Sequence, residues 1–387
     1  MALLLVVMGG LSTAGSRVSV TVVPSEALID VPVDVRASGL PPRTRVTLQA
    51  TTKDLRGRLW RSRLAFRSDG HGVVDTHSNM RIFWSMQPVG AKPASGSVLL
   101  LPDPSTAEIA VLHSARTVAR TTLTRRNLAP TLTTTQVGFS QGGFVGTYYA
   151  LPGAGQHPAV LQLGGSGGGH GALPAALLAS DGFPSLSLAY FREPDLPPNL
   201  QNIPLEYFRT ALRWLADQPG VDPNRLVVLG VSRGGEAAIL LGANYPDLVH
   251  GVVACTIAPN ILGGSPPGTP AWTINGKPIP YGPLPVEQIN APVLITGGGK
   301  DEIVDSTAGT KELINRARSH GRANVAGRVY PNAGHGVGCR TPNLPAPTEL
   351  PVAPNTYLEI GGTSAANAQA AAASWPRLLR FLATLPK

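Results

Sequence analysis

The 387-residue sequence has few charged residues (14%), few aromatic ones (5%) and only two cysteines. Its Lys and Arg residues are scattered and form no basic stripe interleaved with aromatics, which argues against nucleic-acid binding. Cys255 and Cys339 are too few for a disulfide framework and lack zinc-site spacing, but they form a pair if their strands end close together. No apolar run reaches the length of a transmembrane helix. We therefore expect no metal, cofactor, nucleic-acid partner or membrane span.

Glycine, proline and apolar residues are abundant. Apolar side chains make up 43% of the chain, so a folded core is expected, and 44 Gly with 37 Pro predict many turns. The net charge of +9 comes mostly from arginine. A basic surface helps to attract an anionic substrate, although a compositional bias toward arginine explains it equally well.

The first 16 residues are apolar and then small. Met1–Ser16 resembles the apolar and cleavage regions of a secretion signal, but the basic region that normally precedes them is missing. The alternatives are a mis-assigned start codon or a frayed first strand. Export is therefore one of three interpretations of this segment.

Residues 17–127 are predicted to form an immunoglobulin-like β-sandwich. Short Val- and Thr-rich or alternating segments are separated by Gly/Pro turns, which is typical of such a domain. The predicted strands are Ser19–Val23, Val33–Ala37, Arg45–Thr51, Leu59–Phe66, Ser97–Leu101, Glu108–Leu112 and Thr117–Leu123. The histidines of this region are isolated, and the Phe83-Trp84 pair is predicted to lie in the core or at a domain interface. No catalytic cluster is expected here.

Residues 128–387 show strands alternating with helices, which indicates a mostly parallel α/β sheet. The predicted strands are Val145–Ala150, Ala159–Leu163, Ser185–Tyr190, Arg225–Leu229, Val249–Cys255, Pro292–Thr296 and Ala326–Tyr330. The predicted helices are Ala172–Ala179, Pro204–Asp217, Glu236–Ala243 and Ala365–Leu385, the last interrupted near Pro376.

Gly230-Val-Ser-Arg-Gly234 stands between a buried strand and a helix. A strand that turns directly into a helix forces its central residue into a strained conformation and requires small neighbours. The serine is then exposed at the carboxyl end of the strand. This pattern predicts a nucleophile elbow with Ser232 as the nucleophile; the alternative is an ordinary strand-to-helix turn.

Three segments match the Gly-x-Ser-x-Gly template, so the template alone is weak. Gly138–Gly142 leads into another strand and is predicted to be a turn between strands. Gly164–Gly168 follows a good strand but continues with further glycine, which predicts an open loop. Ser232 is the one whose segment has a strand before it and an uninterrupted helix after it.

A serine nucleophile needs a base, and the base needs an orienting carboxylate. On this kind of sheet the chain order is serine, acid, histidine, and active sites form at the carboxyl ends of the strands. His335 follows a strand at that edge, whereas His250 begins a strand and His320 lies in a polar turn before one. Asp301 is the first carboxylate after an earlier strand, with Glu302 and Asp305 as rivals.

The oxyanion hole requires backbone N–H groups aimed at the developing charge. One is expected from Arg233, the residue after the nucleophile. The second is expected from the Gly164–Gly169 loop, through Ser166 or Gly165, because glycine lets the backbone approach a ligand closely. The alternative is a flexible surface loop with no such function.

Together these motifs resemble the acyl-CoA thioesterase/bile acid-CoA:amino acid N-acyltransferase family. The resemblance covers nearly the whole chain after residue 17. It rests on the Ser232 elbow, the Asp301 and His335 loops, and further segments: Val22–Asp34, Phe83–Met86, Gly164–Gly169 and Gly361–Asn367. Only the elbow is specific on its own.

The resemblance implies attack on a fatty or bile acyl-CoA thioester, followed by transfer of the acyl group to water or to an amino acid. In this family cysteine at the elbow is typical of the conjugating enzymes and serine of the thioesterases, so Ser232 favours hydrolysis. A CoA substrate favours a cytoplasmic location, and the C-terminal Leu385-Pro-Lys387 is not a peroxisomal signal. Two alternatives are an exported carboxylesterase or acyltransferase with the same triad, and a non-catalytic binding protein.

Overall fold

The computed structural model describes residues 17–90, 98–153, 155–353 and 356–386. The signal-like segment Met1–Ser16 lies outside these ranges. Within the described ranges the N-terminal part contains nine strands and one short helix: β1 Ser19–Val23, β2 Glu26–Leu28, β3 Asp34–Ser38, β4 Arg45–Lys53, β5 Leu59–Arg67, β6 Val74–Asp75, α1 Arg81–Trp84, β7 Gln87–Pro88, β8 Ser105–His113 and β9 Arg116–Arg126.

These N-terminal strands form two sheets around one core. One sheet has the order β1-β3-β6 and the other the order β2-β9-β8-β4-β5-β7. The burial of β4 alternates strictly along its length, so Val46, Leu48 and Ala50 all face inward. They share their apolar cluster with Val22 of β1 and Val35 of β3. The alternating pattern of the sequence therefore reports correctly which face of these strands is buried.

The described residues of the C-terminal part form fifteen strands, six α-helices and a short 3₁₀ turn. The strands are β10 Thr133–Val137, β11 Val145–Ala150, β12 His157–Leu163, β13 Ser185–Ala189, β14 Ile203–Pro204, β15 Val221–Val231, β16 Gly251–Cys255, β17 Asn260–Ile261, β18 Trp272–Ile274, β19 Lys277–Pro278, β20 Gly282–Pro283, β21 Val293–Gly298, β22 Val325–Tyr330, β23 Glu349–Ala353 and β24 Thr356–Glu359. The helices are α2 Phe139–Gly142, α3 Ala172–Ser180, α4 Leu205–Ala216, α5 Arg233–Asn244, α6 Ser306–Ser319 and α7 Ser364–Ala383, and the 3₁₀ turn is Val286–Gln288.

Eight of these strands make one sheet with the order β10-β11-β13-β12-β15-β16-β21-β22. The pairs β10–β11 and β11–β13 are antiparallel, and every later pair is parallel. The sheet is therefore mostly parallel, as the alternation of strands and helices predicts.

Helices cover both faces of the sheet, so its central strands are apolar on both sides. In β15, Val228 packs in the cluster that contains Leu212 of α4 and Leu241 of α5. Its neighbour Val227 packs on the opposite face, in the cluster that contains Leu178 of α3 and Leu382 of α7, among others. The result is a three-layer arrangement with the sheet in the middle.

The parallel strands end at a common edge. In the register of the sheet Leu163 lies beside Gly230, Val231 beside Cys255, and Gly298 beside Tyr330. The loops that follow these strands carry every residue predicted to take part in catalysis. Their convergence is thus a consequence of strand register.

Two predictions about local structure are wrong. Residues 98–101 are not a strand: Leu99 is buried in the N-terminal core, and Leu100 accepts a backbone hydrogen bond from Leu55 without joining a ladder. Ser97 lies outside the described residues. Helix α7 also continues through Pro376, because Trp375 and Leu378 on either side are buried in one apolar cluster and keep the two halves in line.

The N-terminal and C-terminal parts are joined by buried polar contacts. The Asn343 amide donates to the backbone oxygens of Ile29 (3.1 Å) and Asp30 (3.0 Å). The Trp375 indole N–H donates to the Asp30 carboxylate at 3.0 Å. Trp84, predicted to be core or interface, lines a cavity at this junction. The N-terminal part therefore contacts both α7 and the segment that follows the His335 loop.

Candidate active site

Ser232 stands at a sharp turn between β15 and α5. Its backbone has φ 55° and ψ −120°, a strained conformation for a residue other than glycine. A Cβ on Gly230 would lie 2.0 Å from the Gly234 oxygen, and one on Gly234 would lie 2.3 Å from the Gly164 oxygen. Both positions therefore require glycine for the turn to form. The geometry is that of a nucleophile elbow.

His335 and Asp301 are in direct contact. The His335 Nδ1 lies 3.0 Å from Oδ1 and 2.9 Å from Oδ2 of Asp301. The Asp301 side chain is 1% exposed and that of His335 is 11% exposed. Because a carboxylate only accepts hydrogen bonds, Nδ1 carries the proton and the Nε2 lone pair is left free for chemistry.

The Asp301 carboxylate is held in its ionised form. Burial alone would raise its pKa, but the hydrogen bond and charge of His335, together with further hydrogen bonds, lower the pKa below its ordinary value. The backbone N–H groups of Ile303 (2.9 Å) and Val304 (3.1 Å) also donate to this carboxylate. Asp301 is therefore a fixed anionic partner for the imidazole.

The rival residues have other positions. Asp305 is exposed and accepts the Ala308 N–H as the N-cap of α6 (2.8 Å), and Glu302 is exposed. His320 is the C-cap of α6. The His250 N–H donates to Leu226 at the opposite edge of the sheet. Of the three histidines after Ser232, the structure thus pairs His335 with a carboxylate at the elbow's edge.

The Ser232 and His335 loops meet at the end of β16. The Ser232 N–H donates to the Cys255 oxygen (2.8 Å), and the Gly336 N–H donates to the Thr256 hydroxyl (3.1 Å). A disulfide between Cys255 and Cys339 adds a covalent link between β16 and the histidine loop. Within the described ranges no hydrogen bond joins the Ser232 hydroxyl to the His335 ring. Such contacts are often long in a ligand-free enzyme and tighten when substrate binds.

The Gly164–Gly169 loop lies against the elbow. A Cβ on Gly165 would stand 3.3 Å from the Ser232 Cβ, so the loop backbone is in contact with the serine. Tyr190 holds the loop by donating its hydroxyl to the Gly164 oxygen at 2.7 Å. In the described part of the chain the N–H groups of Gly165, Ser166 and Arg233 have no acceptor. They remain free to bind a ligand oxygen.

A buried ion pair below the serine was not predicted from the sequence. The Arg233 guanidinium lies 2.9 Å from the Glu236 carboxylate and donates to the Leu262 oxygen (3.0 Å). Glu236 accepts from the Leu262 N–H (3.1 Å) and the Trp272 indole (2.6 Å). These contacts hold the segment that contains β17 and β18 on the first turn of α5. The available signal was an Arg–Glu pair at i, i+3 in an otherwise apolar helix.

Burial of this ion pair perturbs the acid. Desolvation raises the pKa of Glu236 to about 7, although Arg233, Trp272 and Leu262 each pull it downward. In the described ranges no group of three or more His, Cys, Asp or Glu residues is placed to hold a metal ion. No helix among the same residues has both the length and the low polarity that crossing a bilayer requires.

Comparison with known proteins gives two family matches. The family described as "Acyl-CoA thioester hydrolase/BAAT N-terminal region" matches residues 30–138. The family described as "BAAT / Acyl-CoA thioester hydrolase C terminal" matches residues 203–262 and 274–385. The two matches fall on the two parts of the chain in the same order.

Individual relatives span nearly the whole chain. The chain is 27% identical to acyl-coenzyme A amino acid N-acyltransferase 1 of Mus musculus, covering 92% of this chain and 95% of the relative. It is also 27% identical to acyl-coenzyme A thioesterase 6 of Mus musculus, covering 91% and 93%. Among solved structures, a putative dienelactone hydrolase from Klebsiella pneumoniae superimposes with a TM-score of 0.45 at 20% identity, covering 65% of this chain and 99% of that one.

Proposed function

The chain belongs to the acyl-CoA thioesterase/bile acid-CoA:amino acid N-acyltransferase family and has an α/β-hydrolase sheet, and from this premise we propose that it is a serine thioesterase that hydrolyses acyl-CoA. The observation that carries the proposal is the placement of Ser232 on a strained elbow at the sheet edge that also bears the His335–Asp301 pair. Relatives named as thioesterases and as N-acyltransferases support an acyl-CoA substrate.

In the proposed mechanism His335 is the general base. Its Nε2 takes the proton of the Ser232 hydroxyl as the oxygen attacks the thioester carbonyl. Asp301 holds the Nδ1–H tautomer and stabilises the imidazolium that forms. Collapse of the tetrahedral intermediate breaks the C–S bond, the imidazolium gives its proton to the leaving sulfur, and the acyl group stays on Ser232. The regenerated imidazole then deprotonates a water that attacks the ester carbonyl, and the proton passes to the Ser232 oxygen as the acid leaves.

The charge on the carbonyl oxygen is stabilised by backbone N–H groups in this proposal. Arg233 supplies one from the first turn of α5, where the helix dipole also favours negative charge. The glycine loop supplies the second. Gly165 is favoured over Ser166 because its backbone packs directly against Ser232, whereas the Ser166 side chain is exposed.

Acyl transfer to an amino acid is the nearest alternative, and hydrolysis is preferred because the elbow carries serine. An oxygen-ester hydrolase in an oxidising compartment is a second candidate. It is favoured by the Cys255–Cys339 disulfide, since such bonds are rare in cytosolic proteins. A non-catalytic role is disfavoured by the assembled His335–Asp301 pair.

We also propose a division of the chain into two domains. The chain divides near residue 127 into a β-sandwich of immunoglobulin type and a catalytic domain over 128–387. The separate apolar cores of the two parts support this division, since the cluster that contains Leu48 draws mainly on the first part and the cluster that contains Val228 on the second.

A substrate panel tests the proposal. Thiol release from acyl-CoA of varied chain length is compared with hydrolysis of oxygen esters that carry the same acyl groups, and an active-site fluorophosphonate is used to label Ser232. Thioesterase activity predicts labelling of Ser232 and faster turnover of the thioesters. Labelling with turnover of oxygen esters alone would favour the exported carboxylesterase, and a chain that is neither labelled nor active would contradict an enzymatic function.

A further inference from the structure

Arg340 stands at the end of the histidine loop. It lies five positions after His335 and directly follows the disulfide-bonded Cys339. One of its terminal nitrogens, Nη2, is 3.3 Å from the position that a Cβ on Gly336 would occupy. Because Gly336 is bonded to His335, the guanidinium lies against the backbone beside the proposed general base.

The guanidinium has no partner in the described part of the chain. No hydrogen bond, ion pair or ring contact there involves Arg340, although its side chain is half-buried. By contrast, buried Arg233 pairs with Glu236, and Arg316 donates to Glu287 at 2.6 and 2.8 Å. Burial lowers the pKa of Arg340, and no neighbouring charge opposes that shift. A half-buried guanidinium without a protein partner is available to pair with a bound anion.

The loop backbone that carries Arg340 is well anchored. The Gly336 N–H binds the Thr256 hydroxyl, the Val337 oxygen accepts from Thr296 (3.1 Å), and Cys339 is fixed to Cys255. The backbone around Arg340 is therefore set by three independent anchors, none of which uses its side chain. The position from which the guanidinium projects is therefore fixed, which lowers the cost of ordering the loop when a ligand binds.

We propose that Arg340 is a specificity residue that binds an oxyanion, a carboxylate or sulfonate, carried by the substrate close to the reacting carbonyl. The inference rests on the proposed function of Ser232 and His335. A planar guanidinium binds a carboxylate or sulfonate through two parallel hydrogen bonds, so its position selects for geometry as well as charge. The anion has two sources, the far end of a short acyl group or the acceptor that takes the acyl group.

In the acceptor case Arg340 orients an amino acid by its acid group. The free amine attacks the carbonyl of the acyl–Ser232 ester, His335 takes a proton from the nitrogen, and the same proton passes to the Ser232 oxygen as the ester C–O bond breaks. The products are an amide and the free serine. No oxidant, reductant or further co-reactant enters this balance.

Two substrate pairs that differ only in charge test the inference. In the first, hydrolysis of adipoyl-CoA is compared with that of hexanoyl-CoA. In the second, hexanoyl transfer to glycine or taurine is compared with transfer to glycinamide. We expect the wild type to prefer the anionic member of at least one pair. Arg340→Gln should lower kcat/KM for that member about 10- to 100-fold, mainly through KM, and change the neutral member less than about threefold.

Control variants separate charge recognition from general effects. Arg340→Lys should restore part of the preference, because it keeps the charge but loses the bidentate fork. Arg318→Gln removes an equal charge from an exposed position on α6 and should change neither pair. If Arg340→Gln does not fold, inhibition of the wild type by adipate against hexane-1,6-diol gives the same comparison without any variant.

The outcomes distinguish this inference from the proposed function. The role of Arg340 would be overturned if Arg340→Gln lost kcat/KM equally on charged and neutral substrates. It would also be overturned if the wild type showed no preference for charge in either pair and were inhibited no more by adipate than by the diol. Both results would leave the thioesterase proposal intact. Full hexanoyl-CoA hydrolysis by Ser232→Ala would instead overturn the proposed function.

Discussion

The glycine loop and the elbow share a five-residue template and touch each other, yet they are built differently. Around Ser232, added Cβ atoms at Gly230 and Gly234 would collide with backbone atoms at 2.0 and 2.3 Å. Around Ser166, a Cβ on the corresponding Gly164 would lie 3.7 Å from the Gly169 oxygen, one on Gly168 would lie 2.7 Å from the Arg192 side chain, and one on Gly167 between them would meet nothing within 4 Å. The elbow glycines are required because backbone atoms stand next to them, whereas the contacts at the loop glycines are longer or involve side chains. The meaning of the template therefore depends on the elements that flank it.

The serines themselves give the largest contrast. Ser232→Ala should lower the rate of acyl-CoA hydrolysis by about 10⁵-fold, because nucleophile and base act as a unit. Ser166→Ala should keep nearly the full rate, since only its backbone is proposed to act. Thiol release under saturating substrate measures both. If Ser166→Ala lost most of its hydrolysis rate while Ser232→Ala stayed active, Ser166 and not Ser232 would be the nucleophile.

The acid gives the next contrast. Asp301→Asn should cost about 10⁴-fold in kcat, because an amide no longer selects the Nδ1–H tautomer of His335. Asp305→Asn, on the exposed N-cap of α6, should reduce stability slightly and leave kcat near the wild-type value. Rates and melting temperatures of both variants check this. Equal kcat losses would mean that the orienting carboxylate has been assigned to the wrong residue.

The glycines give a contrast in stability. Gly234→Ala should lower the free energy of unfolding by about 3 kcal/mol or more, since the new methyl group meets the backbone of Gly164. Gly167→Ala should stay within about 1 kcal/mol of the wild type. Urea unfolding measures both values. If Gly234→Ala were as stable as the wild type, the elbow and the glycine loop could not be packed as described.

The last contrast is in pH dependence, and it concerns Glu236 beneath the elbow. Because burial raises the pKa of Glu236 to about 7, the folded state holds a proton that the unfolded state releases near its ordinary pKa of 4.5. The stability contributed by protonated Glu236 is therefore fully present below pH 4.5 and is lost as the pH rises toward about 7. Urea titrations across this range should show the stability of the wild type falling relative to Glu236→Gln. A constant difference would contradict the shift.

The sequence predicted those parts of the site that depend on order along the chain. Ser232, Asp301 and His335 each follow a strand, and because parallel strands end at one edge, strand order predicts that their loops lie on that edge; their catalytic roles stay a prediction. Arg340 and the Arg233–Glu236 pair could not be found in this way. These residues stand out because one guanidinium lacks a partner and the other has a buried one. Whether a charged group has a partner is decided by side-chain packing, which the sequence does not show.

The errors in the fold have the same origin. Residues 98–101 have a strand-like composition, but Leu99 fills the core without a neighbouring strand to pair with. Pro376 removes a helical hydrogen bond, yet the packing of Trp375 and Leu378 keeps α7 continuous. The cysteine pairing stayed open until the strand register placed their loops side by side. Local propensity was overruled by tertiary contacts in each case.

The crosslink between Cys255 and Cys339 has a consequence for the chemistry itself. In the proposed reaction every turnover liberates coenzyme A, a free thiol, at the rim where this bond lies. Thiolates cleave disulfides only when they can reach a sulfur atom. Cys255 is fully enclosed and Cys339 is 8% exposed, so the leaving group is kept from attacking the bond that secures the histidine loop. The burial of this pair protects the catalyst from its own product.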